Sequence, residues 1–270
     1  MGRLYVVSTP IGNLEDVTLR ALRILKEVSL IAAEDTRVTR KLLNRYDIHT
    51  RVLPYHEHNK RYQAATILRA LDAGDVALVS DAGTPVLSDP GQDLIRAAVG
   101  LGIEVVAIPG PSAITHALTV AGLDTQPFLF EGFLPTTRRD RDRRLSALAT
   151  IPTTLVLFEA PHRVRQTLAD LHQALGDRKV AVCRELTKLH EQVLRTTLGE
   201  AAGQVPERGE FTLVIEGAPP PAPPQQAGAE DRLRVLLAEG LSRKDAAAQI
   251  EAELGLPHRR AYKLAVELGD

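Results

Sequence analysis

The strongest constraint in this chain is a rhythm. Short apolar runs recur at Leu4–Ser8, Leu30–Ala33, Val52–Tyr55, Val76–Val79 and Glu104–Ile108, with helix-like stretches between them. Apolar runs this short, without polar alternation, are strands buried on both faces. Amphipathic segments at Thr18–Glu27, Thr36–Tyr46 and Lys60–Ala73, the last closed by Gly74, supply the crossovers of a largely parallel α/β sheet. A further helix starts at Gln92, and another runs through Ile114–Ala121 with Ser112 at its N-cap position.

Two of these strands end in loops shaped for a ligand. Leu78–Gly91 reads LVSDAGTPVLSDPG, a strand stopping in a carboxylate and a Gly- and Pro-rich turn. After Ile108 comes PGPSA, Pro109–Ala113. Open α/β sheets bind ligands at the carboxyl ends of their strands, so two such loops suggest one shared pocket.

Near Pro135 the character changes. The segment RRDRDRR, Arg138–Arg144, leads into a short helix. Strands follow at Thr153–Glu159, Lys179–Arg184, Val193–Leu198 and Glu210–Glu216, with a helix at Val164–Leu175 and few others. Mixed or antiparallel pairing is expected there. The expected organisation is an N-terminal α/β domain over 1–135, which Phe128–Glu131 completes, and a second α/β domain over 136–217, with ligand in the cleft between them. A Pro-rich linker over 218–227 and a helical unit over 228–270 follow. In that unit Glu230–Glu239, a second helix capped at Ser242-Arg243-Lys244-Asp245, and a third over Pro257–Leu268 resemble a helix-turn-helix.

Composition excludes several classes. The net charge is −1, so no global basic field announces nucleic acid and local patches must serve. Aromatic residues make up 4% of the chain and Trp is absent, leaving few base-stacking platforms. The single cysteine, Cys183, permits no disulfide within the chain and reads as a small buried apolar residue of a cytosolic protein. The start MGRLYVVSTP is too short for a signal peptide and no apolar run is long enough to cross a membrane, so a soluble cytoplasmic protein is expected. There is no P-loop, no dinucleotide fingerprint after the first strand, no nucleophile elbow and no zinc spacing. His56 and His58 read as a surface pair rather than a metal site, and no metal is expected.

The remaining candidates each carry two readings. Asp81 can receive an amine or a ribose hydroxyl, or can serve an Asx turn or a cap. Glu34-Asp35-Thr36-Arg37 is either a capped helix start or a carboxylate–guanidinium cluster facing the cleft. The Arg run is a solvated face or a grip on phosphates. Arg243, Lys244, Arg259, Arg260 and Lys263 make the terminal unit partly basic, suited to nucleic acid or to another partner.

Taken together, STPIGNLED (Ser8–Asp16), AEDTR (Ala33–Arg37), SDAGTPVLSDPG and PGPSA resemble the tetrapyrrole methylase superfamily. FEAPHR (Phe158–Arg163), RELTKLHE (Arg184–Glu191) and RGEFTLVIEG (Arg208–Gly217) narrow the resemblance to members that methylate the ribose 2′-hydroxyl of a cytidine in small-subunit ribosomal RNA. The resemblance implies two α/β domains with S-adenosylmethionine in the cleft between them. It assigns the donor to Thr9, Pro10 and Ile11; to Asp81, Ala82, Thr84 and Pro85; to Ser112 and Ala113; and to Phe158, Glu159, Glu185 and Leu186. The proton of the attacking hydroxyl needs a base, for which Glu34, Asp35, His56 and Glu159 are candidates without rank. RNA is expected on Arg138, Arg139, Arg141, Arg143, Arg144, Arg259 and Arg260. The partner is small-subunit RNA or the assembled subunit, and a homodimer is implied. Two rivals remain: a small-molecule methylase of the same superfamily acting on a tetrapyrrole, and a non-catalytic RNA-binding assembly factor.

Overall fold

A computed structural model describes residues 1–219 and 226–268. It divides into two compact units, Met1–Ala218 and Pro219–Asp270. The first begins with β1 (Leu4–Val7), α1 (Leu19–Glu27), β2 (Leu30–Ala33), α2 (Thr36–Arg45), β3 (Val52–Pro54), α3 (Lys60–Ala73), β4 (Val76–Val79), α4 (Gln92–Gly100), β5 (Val105–Ile108) and α5 (Ala113–Ala121). The strands form one parallel sheet in the order β3-β2-β4-β1-β5.

The unbroken apolar runs have a direct cause. Alternate residues of each central strand enter different cores. Tyr5, Val7, Ile31, Ala33, Ala77 and Val79 pack beneath α1 and α2. Leu4, Leu30, Ala32, Val76 and Leu78 pack beneath α3 and α4. With both faces covered, no position in these strands meets water, so none is polar.

A second sheet uses β6 (Phe128–Phe133), α6 (Arg138–Leu148), β7 (Thr154–Glu159), α7 (Val164–Leu175), β8 (Lys179–Arg184), β9 (Gln192–Thr197), α8 (Leu198–Gln204) and β10 (Phe211–Ile215). Its order is β6-β7-β10-β8-β9, parallel between β6 and β7 and antiparallel elsewhere. The expectation that Phe128–Glu131 completes the first sheet is therefore corrected, and the change of sheet falls before Phe128. Leu129 packs toward the core under α6, α7 and α8, while Phe130 packs toward the other face. A short apolar run says that a strand is buried but not in which sheet. Helix α8, where no helix was expected, buries Leu198 and Ala201.

One face of the second sheet belongs to α5. Ile114, Ala117, Leu118 and Ala121 meet Val156, Ala181, Cys183 and Val214, joined by Ile11 and Leu186. Cys183 is fully buried in this cluster, which pushes its thiol up to about 12. It is an apolar filler, not a nucleophile.

The Arg run lies on α6, where its members separate sharply. Arg141 is buried: Nε donates to Asp170 at 2.6 Å and an Nη to Thr167 Oγ1 at 2.7 Å. Its assignment to RNA is corrected, because its side chain clamps α6 onto α7. Arg144 donates two hydrogen bonds to Glu131. Arg138 and Arg143 pair with Asp142 and Asp140 along the helix and stay exposed, as does Arg139.

The second unit contains α9 (Gln226–Ala238), α10 (Arg243–Leu254) and α11 (His258–Glu267). The Pro-rich linker falls largely on 220–225, outside the described residues, and α9 begins at Gln226, before the expected Glu230 and the expected start of the unit at 228. Leu233, Leu236, Ala246, Ile250, Ala261 and Leu264 fill a small core. Ser242 accepts the Asp245 N–H as its motif predicts, and Gly255 takes the left-handed conformation (φ 66°) that ends α10. Arg259 and Arg260 are both exposed on α11.

Removing one member of a buried ion pair strands the other charge, at a cost of about 3–5 kcal/mol. Arg141→Ala is thus expected to lower stability by about that amount in chemical denaturation. Arg139→Ala, on the exposed face, is expected to change it by less than about 0.5 kcal/mol.

Candidate active site

A cleft of about 420 Å³ opens at the carboxyl ends of the first sheet's strands and reaches across to the second sheet. Three loops, from the ends of β1, β4 and β5, form its first wall. They are pinned to one another. Thr9 and Gly83 exchange both backbone hydrogen bonds, at 2.8 and 3.0 Å. Thr9 Oγ1 donates to the Ser80 carbonyl at 3.2 Å, and the Ser8 and Thr84 hydroxyls meet at 3.1 Å. Gly83 sits at φ 77°, where a side chain would be strained. A Cβ on Gly110 would press on Ser8 at 2.9 Å, so the last loop stacks directly on the first.

Within this frame Ile11, Asp81, Ala82, Thr84, Ser112 and Ala113 line the cleft. Thr9, Pro10 and Pro85 do not. They are buried behind it and shape the loops. Ser112 occupies the N-cap position of α5 and lines the cleft, but its hydroxyl accepts no helix N–H. The first turn of α5 therefore keeps N–H donors that no side chain caps.

The second sheet supplies Phe158, Glu159, Leu186 and the start of β10. Glu185 stands outside this lining. Its carboxylate accepts from the Glu210 N–H at 3.0 Å and from Lys188 at 2.9 Å, and Lys188 holds it below the usual carboxylate range. Glu185 and Thr187, at φ 53° and 65°, carry left-handed backbone on one rim, and Val86 and Ser88, at 79° and 69°, carry it on the other. Such conformations cost about 1–3 kcal/mol each, and they gather where a site demands a particular loop shape.

The four candidate bases now separate. Glu159 is fully buried, with both oxygens engaged. One accepts the Ala160 N–H at 2.8 Å beside Arg163 at 3.5 Å, and the other accepts the Thr167 hydroxyl. It is a strut tied through Thr167 to Arg141. Asp35 caps α2, accepting the Arg37 N–H, and grips the Arg37 guanidinium, which holds its carboxyl down at about 2. His56 is outside the cleft lining, in the turn after β3, beside Asn59 at 3.2 Å. Among the described residues no cluster of His, Cys, Asp or Glu is arranged to hold a metal ion.

Glu34 does line the cleft, and it has company. Its Oε2 accepts the Asp81 N–H at 3.5 Å, while Asp81 Oδ1 accepts the Asp35 N–H at 2.8 Å. Asp89, from the same loop, completes a group of three carboxylates on one wall. Burial raises all three, and their mutual repulsion adds to the rise at Glu34 and Asp89. Asp89 is pushed up to about 6. Asp89 was not among the residues expected at the site. Its signal in the sequence is the second Ser-Asp of LVSDAGTPVLSDPG, which reads like an ordinary turn.

Residues 3–202 match the family model for tetrapyrrole (corrin/porphyrin) methylases. The chain is 49% identical to ribosomal RNA small subunit methyltransferase I of a Synechocystis species, over 99% of each chain. It is 47% identical to the protein of that name from Thermotoga maritima, over 80% of this chain and 99% of the other. Among solved structures, the methyltransferase CobJ superposes with a TM-score of 0.63 at 18% identity, covering 81% of this chain and 95% of that one. Uroporphyrin-III C-methyl transferase from Thermus thermophilus, in complex with S-adenyl homocysteine, superposes at 0.58 and 23% identity, over 80% and 97%. These structural likenesses concern the fold. The chain belongs to the tetrapyrrole methylase family, on its ribosomal RNA small subunit methyltransferase I branch.

Proposed function

We propose that this protein transfers a methyl group from S-adenosylmethionine to the ribose 2′-hydroxyl of a cytidine in small-subunit ribosomal RNA. The observation that carries the reading is the near-complete match, at 41–49% identity, to relatives named for methylating that RNA, combined with a cleft walled by the loops that define the family. The rivals gain nothing comparable. The uroporphyrin-III C-methyl transferase structure is 23% identical to this chain, against 41–49% for the relatives named for ribosomal RNA, and a non-catalytic factor has no use for three carboxylates in an apolar cleft.

The residues present suit the donor. The cleft volume lies within the roughly 300–1,000 Å³ of small-molecule sites. Ile11, Phe158 and Leu186 offer an apolar wall for an adenine, Asp81 an acceptor for hydroxyls or an amine, and the first turn of α5 donors for a carboxylate. S-adenosylmethionine supplies a methyl group already activated by the sulfonium, so positioning provides most of the rate. What the protein must add is an acceptor for the hydroxyl proton. A base whose pKa approaches neutrality serves best, which favours Asp89, with Glu34 beside it, over the ion-paired Asp35.

RNA would approach along the exposed Arg138, Arg139 and Arg143 of α6, and along Arg259 and Arg260 of the C-terminal unit. The assembled small subunit as partner, a homodimer and a cytoplasmic location belong to the same proposal. No described helix is long and apolar enough to cross a membrane.

Incubating the protein with labelled donor and small-subunit RNA or subunits, then mapping 2′-O-methyl groups by mass spectrometry, is expected to find one modified cytidine. A modified base, or no transfer, would refute the reading. Because Asp89 is protonated below about 6, kcat/KM is expected to rise with pH through that value and level off above it. Asp89→Asn is expected to lower kcat by roughly 10²-fold or more and to abolish this acid limb. Replacing Arg138, Arg139 and Arg143 with Ser is expected to weaken RNA binding and lower the salt slope by up to about 0.7 per lost phosphate contact, leaving donor affinity unchanged.

A further inference from the structure

Strand β6 carries an irregularity whose effect is local and specific. It pairs with β7 as Phe130 with Val156, then as Gly132 with Leu157, so Glu131 is an inserted residue. Gly132 lies at φ 75°, in the left-handed region. In a regular strand, residues three apart point to opposite faces. The bulge cancels that offset and brings Phe130 and Phe133 to the same side. Both then meet the same ring: Phe130 lies 5.0 Å edge-on from Phe158, and Phe133 lies 5.8 Å from it at a tilt of 59°. Bulges beside active sites commonly re-aim one side chain in this way. The arrangement is held firmly, because the displaced Glu131 carboxylate takes both hydrogen bonds from Arg144.

The side chain so aimed is not used to fill the core. Phe133 lines the cleft yet remains 51% exposed. Leu87, 45% exposed, lines the same cleft. A Cβ on Gly132 would stand 3.0 Å from Ser88 Oγ, so the bulge abuts the strained loop that carries Leu87. The inner apolar wall is different in kind: Ile11 and Leu186 are 8% and 6% exposed. The cleft therefore has a buried apolar floor and a separate, half-exposed apolar lip. In a chain with few aromatic residues, a phenylalanine kept at a cleft mouth by a bulge, a glycine and an Arg clamp calls for an occupant.

We infer that Phe133, packed against Phe158, is the platform on which a base of the substrate RNA stacks when its ribose enters the cleft. The inference rests on the proposed methylation of a ribose. A ribose can reach a recessed carboxylate only if its nucleotide leaves the helical stack, and extruded bases are received on aromatic and apolar side chains. The outer position of the lip suits the group that enters after the donor occupies the floor. Phe133 is thus a substrate-positioning residue, not a proton acceptor.

The test is steady-state methylation of small-subunit RNA or subunits by the full chain, with donor affinity measured separately by calorimetry. Phe133→Ala is expected to raise the KM for RNA by roughly 10-fold or more, the loss typical of one stacked base, with the donor Kd unchanged. Phe133→Tyr, which keeps the ring, is expected to restore KM to within about 3-fold of the original. Phe128→Ala, an exposed ring on the same strand but outside the cleft lining, serves as the control and is expected to have no effect. If the original protein methylates RNA and Phe133→Ala leaves the RNA KM unchanged, or weakens donor binding instead, the stacking role is overturned while the function stands. If the original protein methylates no RNA, the functional reading itself fails and this inference falls with it.

Discussion

The packing of α5 against the second sheet is the contact on which the site depends. The helix begins in the last loop of the first sheet's wall and spends its apolar face on Val156, Ala181, Cys183 and Val214. Ile11 and Leu186, both cleft residues, belong to the same cluster. The hydrophobic effect that stabilises this core therefore also sets the width of the cleft. Opening the cleft would expose a continuous apolar cluster to water, at roughly 25 cal/mol per Å². The site is thus a by-product of how the two sheets share one helix.

Electrostatics on the two sides of that cleft are arranged differently. On the second sheet, charge is neutralised: Glu159, Thr167, Arg141 and Asp170 form a closed buried chain, and Glu185 is matched by Lys188. On the first, Glu34, Asp81 and Asp89 face the cavity with burial opposing their ionisation. A carboxylate kept short of partners in a partly dry site is poised to take a proton or receive a cation. The partner that would have quenched this, Arg37, is occupied by Asp35.

Much of the framework is legible in the sequence. β2, α3, β4, α7 and β8 have the bounds that their apolar runs, caps and glycines indicate, because each is determined by its own residues: a run buried on both faces, or a helix closed by Gly74. The loops after β1, β4 and β5 are likewise visible as Gly- and Pro-rich strand ends. What escaped reading has a common character. β6 belongs to the second sheet, Arg141 is a buried clamp, Ser112 leaves α5 uncapped by its hydroxyl, and Asp89 joins the carboxylate wall. β6 and Arg141 find their partners in distant parts of the chain, and the roles of Ser112 and Asp89 depend on how their loops turn, so composition and periodicity carry no trace of them.

By itself the sequence determined the kind of molecule: an α/β chain whose strand ends carry ligand-shaped loops, followed by a separate three-helix unit. It did so because propensity, turn chemistry and two-sided burial are local properties. The tertiary structure alone decided which of several similar residues do different work. Five arginines in one run become one buried clamp, one strut for a bulge and three exposed charges. Several acidic residues become an ion-paired cap, a saturated strut and a raised group of three in the cleft. One residue inserted at Glu131 turns a phenylalanine toward the cleft. The physical reason is the same throughout: burial, register and pairing are properties of neighbours in space, and only folding chooses them.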